Sequence, residues 1–177
     1  GNLTAGGALA GTIQTRDAYG NNKTTSSTAS FIASVTGPVP SFDARLTFHN
    51  DGTVSFSTQL TVGGGYSLAV MAAGVHVTGS PRAVHVVAGA VSGPKCTIVT
   101  APGFSQGFAG DSRSLSLQAR DAYGNVISQT KHTFTTAMSN ASDVVVETRS
   151  VLSGDTAVWT LTRSGTYALA VNFGTLA

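Results

Sequence analysis

A chain of 177 residues with a net charge of +2, only 10% charged residues and its ten Lys and Arg spread singly offers no basic patch to nucleic acid or to an anionic membrane. Its single cysteine, Cys96, excludes a disulfide within the chain. No apolar run approaches the roughly 18 residues that a spanning helix needs, and Gly1-Asn2-Leu3-Thr4 lacks the basic start of a secretory leader.

Two copies of one hexapeptide, Arg16-Asp17-Ala18-Tyr19-Gly20-Asn21 and Arg120-Asp121-Ala122-Tyr123-Gly124-Asn125, set the register of the whole chain. A duplicated string about one hundred residues apart predicts two repeats, each small enough to need a narrow core of Val, Leu, Ala and Phe. The expected division is a first repeat over 1–88, a linker over 89–95 and a second repeat over 96–177.

Residues 9–16 alternate loosely, with Ile13 inward. The second copy alternates clearly, Leu115, Leu117 and Ala119 on one face and Ser114, Ser116, Gln118 and Arg120 on the other, which is the period of a half-buried strand. The hexapeptide ends that strand. Asp17 and Asp121 can accept amides across a turn, and Gly20 and Gly124 can take positive φ, so the string is a turn device rather than a set of acid, base and phenol.

Extended runs follow at 30–35 and 133–138. In the first repeat Pro38 and Pro40 break the chain before a run at 44–48. Asn50-Asp51-Gly52 is then a hairpin signal, and Val54, Phe56, Thr58 and Leu60 line one face of the next strand. Residues 144–148, a turn at 153–155 and a strand at 157–161 are expected to occupy the same places in the second repeat. Tyr66, Leu68 and Val70 alternate inward, as do Tyr167, Leu169 and Val171. A last strand over 83–87 has no counterpart before Ala177. Short strands, closely spaced turn signals and no helical periodicity predict an all-β chain of two tandem sandwiches.

These residues resemble the filamin-type repeat, an immunoglobulin-like antiparallel β-sandwich. The resemblance is carried by the hexapeptide, by Asp51-Gly52-Thr53 with Gly65-Tyr66, and by Gly74-Val75-His76-Val77-Thr78-Gly79-Ser80-Pro81, close to the family's Gly-x-His-Ile-x-Gly-Ser-Pro. The second repeat matches at the hexapeptide and at Gly165-Thr166-Tyr167, but has Leu152-Ser153-Gly154 at the Asp-Gly-Thr position and no Gly-Ser-Pro segment. The family's seven strands, laid on the chain, leave the first repeat without strand A and the second without strand G. That implies a piece of a longer array whose open edges are covered by neighbouring sequence or another chain.

The resemblance also implies a partner-binding groove, filled by strand addition beside strand C. Its residues here are Ser30, Phe31, Ile32, Ala33, Ser34 and Val35 in the first repeat and Thr133, Phe134, Thr135, Thr136, Ala137 and Met138 in the second. No catalytic constellation is expected. His49, His76, His85 and His132 are not at zinc-ligand spacing, and Ser80 has no identifiable base or oxyanion partner, so neither metal nor cofactor is implied. Trp159 and Phe104 are candidates for packing or contact. Sequons at Asn2, Asn22 and Asn140 are candidate N-glycosylation sites.

Sparse charge, Ser and Thr at about a quarter of the chain and these sequons favour a non-enzymatic interaction and spacer module outside the cell or at its surface. Its expected partners are a protein and neighbouring repeats of the same chain, with no nucleic acid and no membrane insertion. The alternative is a cytoplasmic, cytoskeletal scaffold or cross-linker of filamin type, although nothing resembles that family's separate actin-binding region. A carbohydrate-binding face would need a row of exposed aromatics, and only Trp159 is a candidate.

Overall fold

The computed structural model describes residues 2–100, 106–128, 131–139, 144–152 and 156–174. The chain divides into two compact units, Gly1–Ala88 and Gly89–Ala177. The described residues form strands, turns and one short 3-10 turn, and no helix is long and apolar enough to cross a membrane.

The first unit contains β1 (Asn2–Thr4), β2 (Ala8–Gln14), β3 (Phe31–Thr36), β4 (Phe42–Asp43), β5 (Arg45–Phe48), β6 (Thr53–Gln59), β7 (Gly64–Ala72), β8 (Val75–His76) and β9 (Arg82–Val87). One sheet runs β1-β9-β7-β3-β4, with β8 on β7, and the other runs β2-β6-β5. The alternation read from the sequence decides what they bury. Ala33 and Val35 of β3, Tyr66, Leu68 and Val70 of β7 and Val86 of β9 are all core, joined by Leu60, while Leu9, Ile13, Leu46 and Phe56 pack against them from the second sheet. Tyr66 brings a phenol into this apolar layer, where burial pushes its pKa up, and satisfies the hydroxyl by donating to the Val62 carbonyl at 2.9 Å. Gly11 is small because Phe56 lies across it, 2.6 Å from where a Cβ would sit.

The hairpin between β5 and β6 follows the Asp-Gly signal. Asp51 accepts from the amide and hydroxyl of Thr53 at 3.0 and 2.7 Å, and Gly52 has φ of 81°. The Gly52 carbonyl then takes the Thr15 amide and hydroxyl, at 3.0 and 2.6 Å, tying the hairpin to the end of β2.

The second unit contains a 3-10 turn (Gly93–Lys95), β10 (Thr97–Thr100), β11 (Ser112–Gln118), β12 (Lys131–Ser139), β13 (Val144–Leu152), β14 (Thr156–Thr160) and β15 (Ala168–Gly174). Its sheets run β10-β11-β14 and β13-β12-β15. Leu115 and Leu117 of the one sheet and Phe134 and Met138 of the other are buried.

Three expectations need correction or sharpening. The first unit has a short strand ahead of β2, where none was expected: Asn2–Thr4 runs parallel to β9, pairing Leu3 with Val86. Three extended residues suffice because Leu3 packs against the core while its neighbours face outward. Among the described residues no strand lies on the side of β2 away from β6. In the second unit β10 lies antiparallel on β11, and among the described residues no strand lies on the side of β15 away from β12.

The third concerns residues 144–148, expected to match 44–48. β5 pairs with β6, whereas β13 pairs with β12 at nine positions, from Lys131↔Leu152 to Ser139↔Val144. The segment has changed sheets. In the first unit only β4, two residues long, follows that course.

Candidate interaction surfaces

The two hexapeptides form the same loop. Each is a strand end closed by its aspartate. Asp17 Oδ1 accepts the amides of Tyr19 and Asn21, both at 2.9 Å, and Oδ2 accepts Asn21 Nδ2 at 3.0 Å. Asp121 repeats this with Tyr123 and Asn125 at 2.9 Å and Asn125 Nδ2 at 2.8 Å. In both, the arginine spans the turn and donates to the glycine carbonyl at 2.7 Å, and the glycine has φ of 87°. Three of the bonds that each carboxylate accepts come from its own loop, so the string is built as a turn and not as a reactive centre. The bonds from Asn21 hold the Asp17 carboxyl below the usual aspartate range.

The loops differ in what covers them. Asp17 is exposed, and Tyr19 is 91% exposed. Asp121 is 1% exposed, where the segment entering the second unit bonds to it, and Tyr123 is 49% exposed. Gly89 donates its amide to Asp121 Oδ2 at 2.9 Å, Val91 bridges to Asp121, and the Ser92 amide donates to the Arg120 carbonyl at 2.8 Å. Burial pushes the Asp121 carboxyl up, but the bonds from Asn125, Gly89 and Tyr123 outweigh it and leave the pKa below the ordinary value. The residues read as a linker are thus part of the second unit's structure. Sequence reasoning missed this contact because it joins positions 32 apart with no periodicity between them.

The strand-addition groove is placed unequally. In the first unit β4 pairs with Ser34 and Val35, and the Ala44 amide donates to the Ala33 carbonyl at 2.7 Å, so the chain itself occupies the edge of β3 over 33–35. Ala33 and Val35 point into the core. Phe31 stacks edge-on with Phe48, ring centres 6.2 Å apart, and Ile32 is 44% exposed. In the second unit β12 is flanked along its length by β13 and β15. No backbone edge is open at 133–138, and Phe134, Thr136 and Met138 are buried. A strand could be added there only by displacing β13 or β15.

The remaining candidates have structural partners. His49 pairs with Ser55 at 2.8 Å, and His76 with Ser80 at 3.1 Å. Ser80 Oγ also accepts the Val70 amide at 2.7 Å, which makes the Ser–His pair a brace between β7 and the turn ahead of β9. Among the described residues no three His, Cys, Asp or Glu groups converge as a metal site. Cys96 is half-buried, its thiol directed to the Ser92 carbonyl. Asn2 and Asn22 are exposed, Asn22 just after the first turn, while Asn140 and Phe104 lie outside the described residues.

Comparison with known proteins agrees with this architecture. No family model and no curated protein matches the chain. Among solved structures it is similar to invasin, a bacterial integrin-binding protein, at 20% identity over 96% of this chain and 34% of that one, with a TM-score of 0.53. It is also similar to FdeC, an Escherichia coli adhesin, at 20% identity over 93% of this chain and 58% of that one, with a TM-score of 0.52. The chain therefore spans about a third and somewhat over half of these two structures. The filamin domain of Lin-41 matches 49% of this chain, and 82% of its own, at 23% identity with a TM-score of 0.43. The fold is immunoglobulin-like in both units.

Proposed function

We propose that this chain is a non-enzymatic spacer and interaction module of a cell-surface array of immunoglobulin-like domains. The observation that carries the reading is the match of both units together to the folds of FdeC, an adhesin, and of invasin, an integrin-binding protein. The low charge, the high Ser and Thr content and the use of both hexapeptides as closed turns support it. On this reading a protein partner that adds a strand to the first unit does so at residues 30–32, the part of the β3 edge beyond its pairing with the chain's own 42–44. Where the compartment carries an N-glycosylation transferase, Asn22 is the favoured acceptor, exposed and followed by Lys23-Thr24. The test is protease treatment of intact cells of the native source. Release of peptides from this chain without lysis is expected, and complete protection until lysis would sink the surface assignment.

A further inference from the structure

The residues that flank the two hexapeptides share a backbone arrangement and differ in chemistry. In the second unit the Ile127 amide donates to the Ala119 carbonyl at 3.0 Å, and both side chains are buried. In the first unit Thr15 and Lys23 stand in the same relation to their hexapeptide, and the Lys23 amide donates to the Thr15 carbonyl at 2.9 Å. The apolar pair has become a hydroxyl and an ammonium. The backbone at Lys23 is held on its other side too, its carbonyl accepting Gln14 Nε2 at 3.0 Å. Thr15 stays buried and donates its hydroxyl to the Gly52 carbonyl at 2.6 Å, whereas Lys23 is exposed, since an ammonium without a partner cannot be buried as Ile127 is.

Lys23 lines a cleft of about 600 Å³, a size that holds a small ligand. Arg16 and His76 line it as well, together with the hydroxyl residues Thr12, Ser27 and Thr78, and no Asp or Glu does so among the described residues. The nearest acid in the chain, Asp17, has both carboxylate oxygens engaged by its own loop. His76 has Nδ1 on Ser80 Oγ at 3.1 Å, which leaves Nε2 as the ring nitrogen for a ligand. Ser27 Oγ accepts the Ala29 amide at 3.2 Å and keeps its own hydrogen to donate. Phe31 and Val75 add apolar surface to the lining.

Cationic groups with no carboxylate among them select an anion. Hydroxyl donors beside apolar surface suit a ligand whose rings carry hydroxyls on their edges and C–H bonds on their faces. We propose that this cleft of the first unit binds an acidic saccharide of one or two rings. Its carboxylate or sulfate group lies at Lys23 and Arg16, and its hydroxyls are met by Thr12, Ser27 and Thr78. Lys23 confines the site to the first unit, because the second has Ile127 at that position. No row of exposed aromatics is needed, since charge-assisted hydrogen bonds in a cleft, rather than stacking on an open face, hold the ring.

The test titrates the full isotope-labelled chain with three disaccharides and follows its amide resonances: a sulfated uronate–glucosamine disaccharide, digalacturonate and neutral cellobiose. Shifts at Thr12, Lys23, Ser27 and His76 are expected with at least one of the acidic sugars, bound about tenfold or more tightly than cellobiose. Which acid binds separates a sulfate from a carboxylate ligand. Lys23→Ile copies the residue that the second unit carries at this position, and should weaken acid binding by about tenfold or more, as should the uncharged Lys23→Gln. Lys23→Arg should retain it. Absence of shifts with both acids, cellobiose bound as tightly as either, or unchanged affinity in Lys23→Ile and Lys23→Gln would each overturn the proposal.

Discussion

Replacing Asp121 by Ala should destabilise the second unit far more than the same change at Asp17 affects the first, although the two sit in identical sequence. Asp121 accepts four hydrogen bonds, from the amides of Tyr123, Asn125 and Gly89 and from Asn125 Nδ2, all between 2.8 and 2.9 Å, and is almost wholly buried. At about 1 kcal/mol net for each bond lost, the cost is about 4 kcal/mol, a large part of the roughly 5–15 kcal/mol that holds a domain folded. Asp17 lacks the fourth bond and is exposed, so water takes up its turn amides and the loss is much smaller. The assay is urea unfolding followed by tryptophan fluorescence, because the chain's only Trp, Trp159, belongs to the second unit. The first unit is followed in parallel by amide exchange of β6. Equal shifts in the two midpoints would refute the claim that the entering segment makes Asp121 a structural centre.

Acid stability should follow from the same carboxylate. Its folded pKa is depressed, so its stabilisation is complete above the unfolded value of about 3.9 and is lost as the pH falls through the lower folded value. An acid titration of unfolding should therefore show a component below about pH 4 that Asp121→Ala removes. Gly52→Ala should cost more than Gly20→Ala by urea midpoint. Both have positive φ, worth about 1–2 kcal/mol, but a Cβ at 52 runs into the Lys23 carbonyl whereas at 20 it meets nothing within 4 Å. Phe134→Ala should destabilise the second unit by about 3–5 kcal/mol, and Ile32→Ala the first by under about 1 kcal/mol, since the former ring is 2% exposed and the latter side chain 44%.

The elements legible in the sequence were those with local causes. Period-two alternation located β7, β11 and the core positions Tyr66, Leu68 and Val70, and Asp-Gly and the hexapeptide located their turns, because strand faces and turns are set by neighbours a few residues away. Pairing was less legible. Val144, Val145 and Val146 look alike whether their strand joins one sheet or the other, so nothing local marks that β13 lies on β12 while β5 lies on β6. That choice decides the expected groove: it closes residues 133–138 and leaves only 30–32 of the first unit's strand edge. Asn2–Thr4 is too short to show a period, and Gly89–Asp121 depends on contact across 32 residues.

One turn serves in two environments, and amide exchange of the unmodified chain compares them directly. The amides of Tyr123, Asn125 and Gly89 should exchange at least about tenfold more slowly than those of Tyr19 and Asn21, as expected where a covering segment must open first. Matching rates in the two turns would contradict it.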